Sequence, residues 1–389
     1  MLLSPLTSDT LLEGVIPVAR HPNAIDFWRG FALITIFVNH IPGLYFEALT
    51  HKNLSISDSA DLFVFLAGWA LRMSMGSPGA PAPTGGVLSR LGGRIVKIYA
   101  AQLLMSCIAI AMLAWAAKVL ENPALLEWHN AAAIFYDPMN AHIGLALLTY
   151  QLGYFDILPL YVVLMLLAPL MIVLHRYLPG VLLPLSFGVY LCALVFEVSP
   201  QSWPTSGTWF FNPLAWQFLF VLGFLFAGGE EGIGQSARRF IGPLRIAAAP
   251  MVILGALMVQ FNWWPDPTAV PSPKLLFIAA KTYMTPLRLI QFLALVAVFS
   301  VAYPTITRFA PIMSQFLSKL GRNSLNVFCV GSLLSLAFQI VRFVYERSVM
   351  VDTAILVVGI GLLGLTAWVS EWRGATSSAK SAQSVSYGL

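Results

Sequence analysis

The sequence predicts an all-α, polytopic integral membrane helix bundle of about ten transmembrane helices, and three observations predict it. Of the 389 residues, 58% are hydrophobic and only 10% charged, with a mean hydropathy of +0.78, whereas a soluble domain carries roughly 25% charged residues. A chain this apolar has too little polar surface to cover itself in water. Its apolar stretches run about 18 to 24 residues between short polar breaks, the length at which a helix crosses roughly 30 Å of hydrocarbon. Those stretches also lack the period-2 alternation over about 10 residues that a transmembrane β-barrel requires.

Taken in order, the spans fall at 25–46, 58–75, 96–117, 154–174, 179–197, 212–229, 243–261, 286–304, 320–341 and 350–370. The breaks between them carry the polar and turn-forming residues. Residues 76–95 are rich in Pro and Gly, 118–153 form the longest break, and 198–211 hold Trp203 and Trp209. The break at 262–285 opens with Asn262-Trp263-Trp264-Pro265, tryptophans suited to a bilayer interface. Residues 1–24 contain Pro5, Asp9, Glu13 and Pro17 and no apolar core with a cleavage site, so a cytoplasmic N-terminal segment is expected rather than a signal peptide. Residues 25–370 form one transmembrane domain, and 371–389, Ser-rich from 374, read as a flexible cytoplasmic tail.

With both termini in the cytoplasm, about twice as many Lys and Arg face inward as outward, as the positive-inside rule asks. The net charge of +5 is then accounted for by anchoring charges and calls for no nucleic acid. Cys107, Cys192 and Cys329 all lie in apolar runs, where a free thiol packs as a small hydrophobe. Neither a disulfide framework nor a metal-ligand spacing is visible, and no metal is expected.

Ionisable residues inside a spanning helix are costly and by default functional. The first span supplies Asp26, Arg29 and His40. At about 100° per residue, Arg29 and His40 differ by only about 20°, and Asp26 lies about 60° from Arg29. All three share one stripe, with about 16 Å of rise between Arg29 and His40. The second span runs the other way and opens with Asp58 and Asp61, so Asp61 is expected at a depth similar to His40. A carboxylate there would fix the imidazole tautomer of a general base. Plainer readings stand beside each residue: an Asp26–Arg29 ion pair at a helix end, an interfacial His40, and Asp58 as a helix N-cap.

Asp26-x-x-Arg29-Gly30, with ten residues between Arg29 and His40, resembles the first-helix signature of the acyltransferase-3 superfamily, and Asp61-Leu-Phe-Val-Phe-Leu-Ala-Gly68 resembles its second-helix motif. His40-Ile-Pro-Gly, Ile157-Leu-Pro-Leu-Tyr, Phe211-Asn-Pro-Leu-Ala-Trp-Gln217 and Gly321-Arg-Asn-Ser-Leu-Asn-Val-Phe-Cys are similar to the OpgC branch. The resemblance implies an enzyme of the bacterial inner membrane that acylates osmoregulated periplasmic glucans from a cytoplasmic acyl-CoA, succinyl-CoA in the named members. It implies His40 as the catalytic residue, with Asp26, Arg29 and Asp61 in support. Membrane lipid, the glucan acceptor and glucan-synthesis membrane proteins are the partners that follow.

Arg90, Arg94 and Lys97, with Arg322, are candidate contacts for CoA phosphates, which seek Arg and Lys. Topology anchoring explains the first three equally well, and helix capping explains Arg322. Asp156, Asn212, Gln217 and Glu197, with Trp203, Trp209, Asp137 and His142, are candidate glycan contacts, with capping and interface anchoring as the plain alternatives. The rival class is a transporter or flippase of a lipid-linked sugar, which would more readily show internal repeats and broken helices.

Overall fold

The computed structural model describes residues 23–77, 80–81, 84–228, 232–345 and 348–386. Helix α1 (Ala24–Asn39) starts where Asn23 caps it, its Oδ1 accepting from the Asp26 amide at 2.9 Å, and ends at His40 ahead of Pro42 and Gly43. Helix α2 (Ser59–Ser74) starts at Asp58, whose side chain accepts from the Ala60 amide, while the Asp61 carboxylate accepts from the Asp58 amide. Asp58 is thus an N-cap, and the reciprocal pair satisfies two of the amide donors that every helix start leaves open.

A two-residue antiparallel pair, β1 (Gly76–Ser77) and β2 (Ala80–Pro81), precedes α3 (Thr84–Val119). The long break that follows is structured, with a 3-10 turn at Pro123–Asn130 and short helices α4 (Ala132–Tyr136) and α5 (Pro138–Ala146). Then come α6 (Ile157–Tyr177), α7 (Pro179–Val195), α8 (Pro213–Ala227), α9 (Gly232–Arg239) and α10 (Ile241–Gln260). The chain closes with α11 (Pro286–Phe299), α12 (Ala302–Phe309), α13 (Pro311–Arg322), α14 (Ser324–Val344) and α15 (Val349–Ser386). Several helices start with Pro in the first turn, where its missing amide costs nothing.

Among the described residues the fold is all-α apart from the two-residue pair and an isolated bridge between Gln201 and Thr208. Among the described residues, five helices are long and apolar enough to cross a membrane: the bulk of α3, then α6, α10, α14 and α15. The number rises to seven if the bent pairs α8–α9 (69°) and α11–α12 (47°) each count as one span. Among the described residues the structure therefore yields five to seven candidate spans and does not confirm the expected count of about ten. Helices α1 and α2 are 16 residues each and carry the charges of the site, which holds them below the length and apolarity of a self-sufficient span. Helix α3 starts 12 residues before the expected 96, taking up much of the Gly-rich break. Helix α15 continues to Ser386, where composition led to the expectation of a flexible tail from 371. Residues 1–22, most of the expected N-terminal segment, lie outside the described residues.

Two pairs of helices meet backbone to backbone, and glycine makes both contacts possible. A Cβ on Gly30 of α1 would stand 1.9 Å from the Leu317 carbonyl oxygen of α13, and one on Gly321 of α13 would stand 1.8 Å from the Asp26 carbonyl oxygen. The α2–α8 pair repeats the device: Gly68 meets the Phe220 oxygen at 1.9 Å and Gly223 the Phe65 oxygen at 2.0 Å. Small residues that let backbones close up are the usual adhesive of helices in lipid, where the hydrophobic effect gives no drive between apolar faces. Around these contacts sits one continuous apolar core that includes Trp216, Phe220, Phe37 and Phe27.

Candidate functional site

The two ends of α1 carry two different environments. At the Arg29 end a cavity of about 430 Å³ is lined by Arg29, Arg90, Arg94, Lys97, Tyr161 and Ser324, with Phe63, Leu158 and Phe328 among its apolar walls. Three of the cations come from α3, because Arg90, Arg94 and Lys97 are spaced by four and three residues and share a face. No carboxylate lines the cavity among the described residues. Arg29 is held by its backbone neighbour, Nη2 donating to the Leu66 carbonyl at 3.1 Å, and Arg90 Nη2 donates to the Ser74 carbonyl. A concave site with four cations and no acid attracts polyanionic ligands. The cavity does not reach His40. Phe63 and Phe328 stack on each other in its wall, and Tyr161 Oη donates to the Phe63 carbonyl at 2.6 Å.

At the other end, the His40 ring stacks on Tyr154, with centroids 4.6 Å apart and planes at 28°. Tyr154 in turn touches His129, centroids at 5.1 Å. His129 Nε2 meets Gln339 Oε1 at 2.7 Å, and Gln339 Nε2 donates to the His40 carbonyl. His40 Nδ1 is buried without a hydrogen-bond partner among the described residues. Burial holds the His129 imidazole below its ordinary pKa, against a smaller opposing effect of the Gln339 contact. The turn after His40 is pinned from α14 and α15. Arg342 donates to the Pro42 and Gly43 carbonyls at 2.6 and 2.7 Å and pairs with Asp352 at 2.9 Å, and Asp352 accepts from the Tyr45 amide.

Between the two ends lies a buried charge cluster. Arg288 of α11 reaches Asp61 at 2.8 Å, Asp58 at 3.0 Å and the Ile56 carbonyl at 2.8 Å, while Lys281 meets Asp58 at 2.6 Å. Lys281 also lies over the rings of Phe210 and Phe211, at 5.5 and 5.3 Å. Two carboxylates against two cations leave no net charge, the condition under which buried ions are tolerated.

This cluster corrects the expectation for Asp61. Arg29 bonds to Leu66 and Thr35 bonds to Ser59 across α1 and α2, so residues 33 and 34 lie level with Asp61 in this antiparallel register. His40 is therefore displaced by about six residues, roughly 10 Å along the axis. Asp61 is fully buried, and its oxygens are taken by Arg288 and the Asp58 amide, with no hydrogen bond to His40. Asp26 makes no ion pair with Arg29: Asn23 Nδ2 donates to it at 2.6 Å, which marks it as part of the α1 cap. Arg322 is not on the cavity wall; its guanidinium lies on Glu371 of α15 at 2.9 Å.

The glycan candidates divide in the same way. Asn212 is fully buried and caps α8, accepting from the Leu214 amide and donating to the Val198 carbonyl. Gln217 is buried and ties α8 to α7 through the Ser186 hydroxyl and carbonyl. Both are structural. Asp156 stays half-buried at the start of α6 beside Tyr154, its side chain unused as a cap, and Glu197 is exposed. Sequence reasoning missed Tyr154, His129, Gln339, Lys281, Arg288 and Arg342. Arg288 alone carried a usable signal, being an arginine in the first turn of an apolar helix.

Among the described residues no group of three or more His, Cys, Asp or Glu stands where it could hold a metal. The fold and the site define a helical membrane protein with a cation-lined cavity at one end of α1 and a half-buried histidine at the other. The chain belongs to the OpgC protein family, whose model matches residues 20–375. Membership implies a transferase of the acyl class, a membrane acyltransferase that modifies glucans. No curated protein and no solved structure matches the chain.

Proposed function

We propose that the protein is an inner-membrane O-acyltransferase that takes an acyl group, succinyl by kinship, from cytoplasmic acyl-CoA and transfers it to hydroxyls of a periplasmic glucan. The observation that carries this reading is the pairing, along α1, of a four-cation cavity with no carboxylate among the described lining residues and a half-buried histidine about 16 Å away. In it, Arg90, Arg94 and Lys97 hold the CoA phosphates, and the pantetheine arm runs along α1 past Phe63 and Phe328. His40 accepts the proton of the attacking sugar hydroxyl. The hydroxyl oxygen bonds to the thioester carbon, the C–S bond breaks, and the sulfur leaves as thiolate and regains a proton. Arg29 faces the carboxylate of a succinyl donor, which favours that donor over acetyl. Both termini face the cytoplasm, and Asp156 and Glu197 meet the glucan.

The bend between α11 and α12 is the feature that a transporter would share. One experiment separates the two classes. Wild type and His40→Ala are purified in detergent and given succinyl-CoA or acetyl-CoA with a periplasmic β-glucan, and free CoA and glucan mass are followed. Succinylated glucan with wild type and none with His40→Ala supports the enzyme, its donor and its base together. The absence of CoA release under every condition sinks the reading.

A further inference from the structure

Tyr154, His129 and Asn130 share an unusual backbone state. They have φ of 67°, 55° and 62°, and they are three of the eight non-glycine residues with positive φ among the described residues. For a bulky side chain this conformation is a true outlier that the surroundings must enforce. Here the enforcement is on the page. The Gly153 amide donates to the His129 carbonyl at 2.8 Å, and Tyr150 Oη donates to the Asn130 carbonyl at 2.6 Å. These bonds lock the two strained segments to each other, and what the lock presents is the Tyr154 ring, flat against His40.

The rest of the cluster aims the same way. Gln339 grips the His40 carbonyl with one end of its amide and His129 with the other, so the backbone under His40 and the ring behind Tyr154 are held by one side chain. The His40 ring nitrogen Nδ1 is buried with no hydrogen-bond partner among the described residues, and Asp61, the carboxylate expected to orient it, belongs to Arg288 instead. Among those residues no hydrogen bond at Nδ1 orients the imidazole, and the contact that meets its face is the Tyr154 ring. A general base has to present one nitrogen to the acceptor within hydrogen-bond reach, and a rotated ring does not.

We propose that Tyr154, locked by His129 and Gln339, is the positioning residue that sets the plane of the His40 imidazole for proton abstraction. The catalytic use of that plane rests on the acyltransferase reading above; the stacking itself does not. In this role the face of the ring matters and the hydroxyl does not, so Tyr154→Phe restores what Tyr154→Leu removes.

The test uses the full-length protein in detergent with succinyl-CoA and β-glucan, and in parallel measures the rate at which diethyl pyrocarbonate modifies His40, read by peptide mass. Tyr154→Leu should lower kcat by about tenfold or more while the KM for the donor stays within about twofold, because misorientation of a reacting group costs rate rather than donor binding. Tyr154→Phe should return kcat to near the wild-type value. A merely structural residue would lower the melting temperature and leave the turnover of the folded fraction unchanged. Turnover of Tyr154→Leu within about twofold of wild type, or a Tyr154→Phe protein as slow as Tyr154→Leu, overturns the proposal. If wild type itself releases no CoA, the acyltransferase reading has failed, and the modification rate decides the positioning role. Faster modification of His40 in Tyr154→Leu than in wild type and Tyr154→Phe supports it, and equal rates overturn it.

Discussion

Arg342 and Asp352 form an ion pair at 2.9 Å with side chains 8% and 5% exposed, and together they grip the turn that follows His40. Arg342 holds the Pro42 and Gly43 carbonyls and Asp352 the Tyr45 amide, so α14 and α15 dictate where α1 ends. Breaking a buried pair from one side leaves the other charge uncompensated, at a cost of about 3–5 kcal/mol. Arg342→Ala should lose about that much and Asp352→Asn less, since the amide still accepts from Tyr45. Thermal melts of the two variants in the same detergent check the order.

Arg288 is the shared partner of Asp58 and Asp61. Arg288→Met leaves two buried carboxylates with only Lys281 between them and should destabilise by about 3–5 kcal/mol. The double variant carrying Arg288→Met and Asp61→Leu should recover part of the loss, because an apolar pair needs no counter-charge. A double variant no more stable than Arg288→Met alone would contradict this account.

Gly30→Ala puts a methyl 1.9 Å from a carbonyl oxygen of α13, and backbone cannot yield as a side chain does. A loss of about 1–3 kcal/mol or more is expected from overpacking. Gly92→Ala in α3 meets nothing within 4 Å and should gain up to about 1 kcal/mol from helix propensity. Opposite signs for the same chemical change would tie the effect to the α1–α13 contact.

The cationic cavity predicts a donor-binding phenotype. Arg94→Ala should raise the KM for acyl-CoA about tenfold while kcat changes little, since one charge-assisted contact is worth about 1.5–3 kcal/mol. The effect should shrink at high salt, where exposed charges are screened. An unchanged KM would return Arg94 to plain topology anchoring.

Acid should weaken the fold through His129. Its pKa is depressed in the folded state by burial, so as pH falls from about 6.5 the unfolded chain takes up a proton that the folded chain refuses. Stability contributed by the neutral ring is complete above pH about 6.5 and is lost as pH falls toward the lower folded value. The melting temperature should drop between neutral and mildly acid pH, and His129→Gln should flatten that drop.

Much of this molecule was legible from local pattern. The Asp58 cap and the start of α8 at Asn212-Pro213 depend on residues a few positions apart, which helix geometry fixes. The family followed from motifs of the same local kind. The expected count of about ten spans is not confirmed, since hydropathy scores each apolar run alone and five to seven helices among the described residues have the length and apolarity of a span. A 16-residue helix that buries its polar face against neighbours and a bent pair such as α11–α12 look like full spans from sequence.

What the sequence by itself determined was therefore the environment and the longitudinal order: an apolar, membrane-type helical chain with cations at one end of α1 and a histidine at the other. The tertiary structure alone decided the lateral partners. Asp61 and Arg288 are 227 positions apart, and His40 and Gln339 are 299 apart. The rise and turn of a helix state how deep a side chain sits and which way it points, but not which helix stands opposite. That choice was made by close glycine contacts and by the need to neutralise buried charge.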